Sequence, residues 1–169
     1  MITTAYLRQR LRYEPETGAL IWLMRPVEFD YGWNARHAGK RAGTVKARGW
    51  RDVVIDDRTY RASRIIWQIV TGEPPLFEVD HWNGDRSDDR WGNLRHATKS
   101  QNMGNQKRHA DGTSGFKGVV WVKKDCCWKA QIGHKYTTRY LGSFDTPEEA
   151  HAAYMAAALE AYGEFARAA

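Results

Sequence analysis

Phe77-Glu78-Val79-Asp80-His81-Trp82-Asn83-Gly84-Asp85 opens a stretch that runs through Arg86–Gly92 and closes on Asn93-Leu94-Arg95-His96-Ala97-Thr98-Lys99-Ser100-Gln101-Asn102. An apolar-polar alternation, an Asx-rich turn and a second short alternation describe a hairpin over 77–98. Thr98 then stands as the cap of a helix expected to run from about 98 to 107. The chemistry-bearing residues are a carboxylate (Asp80), an imidazole (His81) and two carboxamides (Asn93 and Asn102). His81 to Asn93 is 12 residues, Asn93 to Asn102 is 9, and Asp80 to Asn102 is 22.

A histidine side chain titrates near neutrality and can take a proton there. If Asp80 ends the first strand and Asn102 lies about one turn into the helix across it, their two oxygens can face one point. Hard oxygen donors of this kind suit magnesium, which retains several waters and needs few protein ligands. His81, next along the strand, then faces the other side and flanks a phosphate without ligating the ion. Asp88 and Asp89 read as solvated loop carboxylates. His96 reads as a second base or, in preference, as a solvent-facing strand residue.

This pattern resembles the HNH (His-Me finger) nucleases, in particular those of phage and intron homing endonucleases. The resemblance implies His81 as general base, and Asp80 and Asn102 as ligands of one Mg2+ (or Mn2+) per active site. It also implies Asn93 as a brace that holds the loop and orients the histidine. Asn at the third motif position marks the phage-type subset and favours magnesium or manganese over zinc. Related sequences often carry Asn where this chain has Asp89. The products implied are a 5′-phosphate and a 3′-hydroxyl.

The charge distribution fits a cation site facing a polyanion. Net charge is +6, distributed as +4 over residues 1–79, −2 over 80–94, +3 over 95–112 and +1 over 113–169. An acidic island in a basic chain is the arrangement such a site needs. No stretch approaches the ~20 apolar residues of a membrane helix, and the N-terminus has no apolar leader. The two cysteines, Cys126 and Cys127, are adjacent. That excludes a Cys-only zinc cage and points to free thiols in a reducing, cytoplasmic setting, the host cytoplasm for a phage-encoded chain.

Upstream, residues 1–75 read as a small α+β scaffold. A helix capped by Thr3 or Thr4 is expected to reach Arg12, followed by a turn at Glu14–Gly18 and a strand over Ala19–Met24. Residues 25–43 form a loop, with further strands near 44–48, 50–55 and 59–61. A helix over Ala62–Thr71 should bury Ile65, Ile66, Ile69 and Val70, ending at Gly72. Arg36, Lys40 and Arg41, joined by Lys46 and Arg48, form a candidate phosphate-binding cluster, with a merely solvated face as the competing account.

Downstream, residues 76–107 are the nuclease motif and 108–115 a basic linker carrying Arg108, with Lys107 just before it. Residues 116–169 form a three-stranded antiparallel sheet (118–123, 128–132, 138–141, with turns near Asp125 and Gly133) and an Ala-rich helix. Thr146, Pro147, Glu148 and Glu149 are that helix's start signals and Gly163 its stop. The fold class is therefore α+β, with a ββα-metal unit between scaffold and C-terminal module. That module resembles the ethylene-response-factor (APETALA-type) DNA-binding domain, which lays its sheet in the major groove. Carried over, Lys117, Trp121, Lys123, Trp128, Lys129, Arg139 and Tyr140 are the candidate contacts, joined by Arg95 and Lys99 within the nuclease motif. Lys117 stands where Arg is frequent, which weakens guanine readout. Trp128 is equally readable as a core anchor.

The expected activity is a homing-type, metal-dependent DNA endonuclease acting on double-stranded DNA. A monomer is expected, nicking one strand, with a dimer on DNA as the alternative. Two rivals stay open: a DNA-binding regulator with an inactive nuclease centre, and a nuclease of structured RNA.

Overall fold

The computed structural model describes residues 2–106, 114–134 and 137–168. The chain divides into two compact units, Met1–His96 and Ala97–Ala169, a division that falls inside the 76–107 stretch. Both mix helix and strand, so the α+β class holds.

The first unit begins with helix α1 (Thr4–Arg10), whose cap is Thr3, its hydroxyl accepting from the Tyr6 N–H. The helix ends two residues earlier than expected. Leu11 is already extended and opens strand β1 (Leu11–Glu14), which pairs antiparallel with β2 (Ala19–Trp22). Leu7 and Leu11 keep a helical spacing, but both are buried in the same core from different elements. Burial decided the boundary, not propensity.

A short helix α2 (Trp33–His37) interrupts the 25–43 loop, and Arg25 lies over the Trp33 ring. Strands β3 (Thr44–Val45), β4 (Arg51–Ile55) and β5 (Arg58–Arg61) form an antiparallel sheet in sequence order. Asp56 and Asp57 both take positive φ between β4 and β5. That is the two-residue primed turn which matches strand twist.

Helix α3 (Ala62–Thr71) ends on left-handed Gly72. Its buried face is Ala62, Ser63, Ile65, Ile66 and Gln68, while Val70, expected inward, is exposed. The polar members of that face are used: Gln68 donates to the Ile2 carbonyl and to Thr4 Oγ1, tying α3 to the start of α1. Strand β6 (Glu78–His81) pairs with β7 (Leu94–Ala97). Leu94 joins Leu7, Leu11, Leu20, Val53, Ile55, Ile65 and Ile66 in one core, so the hairpin is anchored to the scaffold.

The second unit opens with helix α4 (Lys99–Asn105), held by a reciprocal capping box between Thr98 and Gln101. Strands β8 (Val119–Val122), β9 (Cys127–His134) and β10 (Thr137–Phe144) form an antiparallel sheet in the order β10-β9-β8. Gly133 pairs with Thr138 inside the ladder. A bulge between Tyr140 and Gly142 sets Leu141 outside the regular alternation, and its side chain packs against both local cores.

Helix α5 (Pro147–Tyr162) carries the capping box Thr146–Glu149 with Pro at its start. Its small residues Ala150, Ala157 and Ala158 are buried with Tyr154 and Tyr162 against Val119, Ala130 and Ile132 of the sheet. Gly104 of α4 lies so close to Tyr162 that a Cβ there would sit 2.6 Å from the ring. No helix among the described residues is long and apolar enough to cross a membrane.

Candidate active site

The β6-β7 hairpin places Asp80 and His81 as its last two β6 residues, both buried despite their polarity. Strand alternation turns them to opposite sides. Asp80 Oδ2 accepts from Arg95 Nε across the hairpin at 3.0 Å. His81 Nε2 lies 3.2 Å from Asp89 Oδ1, with His81 4% and Asp89 2% exposed. Trp82, next in the chain, is exposed.

The loop between the strands is a hydrogen-bonded cage of Asx side chains. Asn93 Oδ1 accepts from the Asn83 backbone N–H at 2.9 Å, and Asn93 Nδ2 donates to the Asp88 carbonyl at 2.7 Å. The Asn93 carbonyl also accepts from the Trp82 N–H, closing the hairpin. Asn83 Nδ2 donates to Asp88 Oδ2, and Asp85 accepts from both the Ser87 N–H and its hydroxyl. Arg90 holds both oxygens of Asp88 at 2.7 Å. That guanidinium lowers the Asp88 pKa to about 2, against the opposing effect of burial.

Asp88 and Asp89 are therefore not solvated loop carboxylates. Asp88 is a structural hub, and Asp89 faces inward to the histidine, with its Oδ2 buried and unpartnered among the described residues. Two features of the distant β1-β2 hairpin fix Asp89. Tyr13 Oη donates to the Asp89 carbonyl at 2.9 Å. Gly18, at φ +67°, comes so close that a Cβ there would meet the Asp89 carbonyl carbon and Arg90 N at 2.6 Å. Burial first, and then the charge of Asp89, push the Tyr13 phenol up to about 12.

The one signal for Asp89 came from the family resemblance, which implies Asn at that position where this chain has Asp. Tyr13 and Gly18, over seventy residues away, left no local signal.

His96 also departs from expectation. It is stacked on Trp67 at 3.8 Å between ring centroids and edge-on to Phe77, with Nε2 buried and unpartnered among the described residues. The strand face it occupies is covered by α3, not by solvent.

Among the described residues no group of three or more His, Cys, Asp or Glu gathers as a metal cage. The expected ligands are one carboxylate and one carboxamide, an oxygen-only pair whose donor chemistry fits a hard divalent ion. Asp80 belongs to the first unit, and Asn102 to helix α4 of the second.

The residues expected to hold DNA are placed as follows. Arg36, Lys40, Arg41, Lys46 and Arg48 are exposed in the first unit. Arg36 Nε donates to the Gly32 carbonyl. Arg95 is mostly buried on Asp80, and Lys99 is exposed at the start of α4. Lys107 and Arg108 lie outside the described residues.

In the second unit Lys117 turns away from the sheet's open face. Its Nζ donates to the Gly104 and Gln106 carbonyls at 2.6 and 2.7 Å, closing the C-terminal end of α4. Burial lowers its pKa to about 8. Trp121 and Trp128 pair across β8 and β9 on the helix side, and Trp128 packs against Val119, Ala130 and Ala150. Arg139 pairs with Glu160 of α5. Lys123 is exposed beyond β8. The face opposite the helix carries Val120, Lys129, Gln131, Tyr140 and Ser143 by register. Lys129 is tethered to Asp125, and the Tyr140 hydroxyl to Ser143 Oγ.

Residues 60–104 match the family model described as HNH endonuclease. The matched span runs from β5 through most of α4 and contains Asp80, His81, Asn93 and Asn102. No curated protein and no solved structure matches the chain.

Proposed function

We propose that the chain is a metal-dependent DNA endonuclease of the HNH, homing type, with His81 as the base that deprotonates the attacking water. One observation carries the reading: the Asp80-His81 pair ends a strand of a cross-braced hairpin, within the span that matches HNH endonucleases. An imidazole held there by a buried carboxylate has a fixed orientation, which general-base catalysis needs. Water attacks phosphorus, the P–O3′ bond breaks, and the products are a 5′-phosphate and a 3′-hydroxyl. Asp80 and Asn102 would hold Mg2+ or Mn2+, which supplies charge stabilisation at the phosphoryl and departing oxygens. Asn93 acts at a distance, keeping residues 82–88 in register.

Double-stranded DNA is the proposed partner, bound by the exposed cations of the first unit and by the outward face of the β8-β9-β10 sheet. Tyr140, Gln131 and Lys129 are the side chains this face offers to a groove. A lone centre nicks, so a monomer should yield nicked circles from supercoiled plasmid before any linear product.

The Arg95–Asp80 ion pair favours a second reading, a DNA-binding regulator whose nuclease centre is inert, because it occupies an oxygen the ion would use. The assay that decides is plasmid cleavage with magnesium or manganese by the parent protein and by His81→Ala. On the nuclease reading His81→Ala lowers the rate by about 100-fold or more with DNA binding retained. Equal rates for the two proteins remove His81 from the chemistry. No cleavage by the parent in either metal, with DNA still bound, leaves the regulator.

A further inference from the structure

We infer that Asp89 is a positioning residue which fixes the tautomer of His81, holding the hydrogen on Nε2 and keeping the Nδ1 lone pair as the base. The catalytic use of that lone pair rests on the nuclease reading above; the ring assignment does not. An ionised carboxylate can only accept hydrogen bonds. With its Oδ1 3.2 Å from Nε2, a carboxylate there selects the ring form that offers Nε2–H. Both groups are buried, so water does not compete for either atom.

The carboxylate cannot swing away easily. Its backbone is pinned by the Tyr13 hydroxyl and by the close approach of Gly18, while Arg51 lies near enough for their charges to interact. When the base takes a proton from water, the O–H bond breaks and an Nδ1–H bond forms. The water oxygen then bonds to phosphorus, and the P–O3′ electron pair leaves on O3′, which is protonated from solvent. The imidazolium left behind sits against the Asp89 carboxylate, which offsets its charge.

The unpartnered Oδ2 makes an asymmetric prediction. In a protease triad, Asp→Asn is ruinous because the new amide turns its NH2 toward the histidine and enforces the wrong tautomer. Here no described residue hydrogen-bonds the Asp89 Oδ2. Asp89→Asn can keep its Oδ1 on Nε2–H and place the NH2 where Oδ2 was, so the Asn preserves the tautomer. An apolar residue of similar size, Asp89→Leu, cannot.

The test is long-range 1H–15N correlation on 15N-histidine-labelled protein, with the His81 signals assigned by loss in His81→Ala. Turnover and DNA affinity are measured beside it. The expected spectrum shows Nε2 protonated and Nδ1 unprotonated in the parent and in Asp89→Asn. Asp89→Asn should keep turnover within about 10-fold, whereas Asp89→Leu loses about 10- to 100-fold in kcat with DNA affinity unchanged and shows a mixture of tautomers. A parent ring protonated on Nδ1 overturns the inference, and so does an Asp89→Leu protein with parental tautomer and kcat. Should Asp89→Leu not fold, the parent and Asp89→Asn spectra still decide. An Nε2–H ring in a parent that cuts no DNA sustains the ring assignment and defeats the nuclease reading instead.

Discussion

Asp88 shows how much one loop carboxylate can organise. Its oxygens accept from the Arg90 guanidinium and from Asn83, and its carbonyl accepts from Asn93. Its pKa falls from 3.8 in the unfolded chain to about 2 in the folded one. A depressed folded pKa contributes stability that is present above the unfolded value and is lost as pH falls through the folded value. The unfolding free energy should therefore decline between about pH 4 and pH 2. Asp88→Asn should flatten that decline in acid-titrated urea melts. An unchanged slope would remove Asp88 from the acid limb. Lys117 gives a slope of the same sign for a different reason, since it is burial that lowers its pKa to about 8. Between that value and its unfolded 10.5 the unfolded chain binds more protons, so stability should rise with pH. Lys117→Met should abolish that rise.

At the level of elements, most of the secondary structure was legible because caps and turns are local chemistry. Thr98 with Gln101 and Thr146 with Glu149 are reciprocal boxes written in four residues each, and Gly72 ends α3 where it was expected. Strand β1 was not legible, because Leu11 and Tyr13 gain their burial from partners far along the chain. The site divides in the same way. Asp80, His81 and Asn93 stand out as candidates by type and spacing, whereas the place of Asp89 is set where Tyr13 and Gly18 close over its backbone. That dependence is testable. Gly18→Ala combines a strained positive φ with a backbone clash and should cost about 2 kcal/mol or more, displacing the 89–90 backbone. Thermal melts and the His81 spectrum read the two effects separately; a Gly18→Ala protein with parental melting and spectrum would show that the approach is not tight.

For the molecule as a whole, the structure revises which cations can meet a polyanion. Lys117 and Arg95 are drawn inward onto protein acceptors, while Arg36, Lys40, Arg41, Lys46, Arg48 and Lys123 are exposed, as is Arg139 beside its partner Glu160. Charge composition could not make that distinction, since a lysine that closes a helix and one that faces solvent are the same letter. On the proposed reading, duplex affinity falls steeply with salt. Removing Lys40 and Arg41 together should reduce the salt slope by about two phosphate contacts, whereas Arg139→Gln leaves it unaltered. A filter-binding series from low to physiological salt measures both. Tyr140→Ala should weaken binding at every salt concentration without changing that slope.

The stack of Trp67 on His96, with Trp91 beside it at 5.1 Å, ties α3 to the strand that carries Arg95. Indole emission is quenched by ring neighbours at such separations, so the hairpin carries a built-in optical gauge of its own closure. Fluorescence that brightens in step with loss of the hairpin, and that vanishes as a signal in Trp67→Phe, would let the docking of this one strand be timed in a stopped-flow cell.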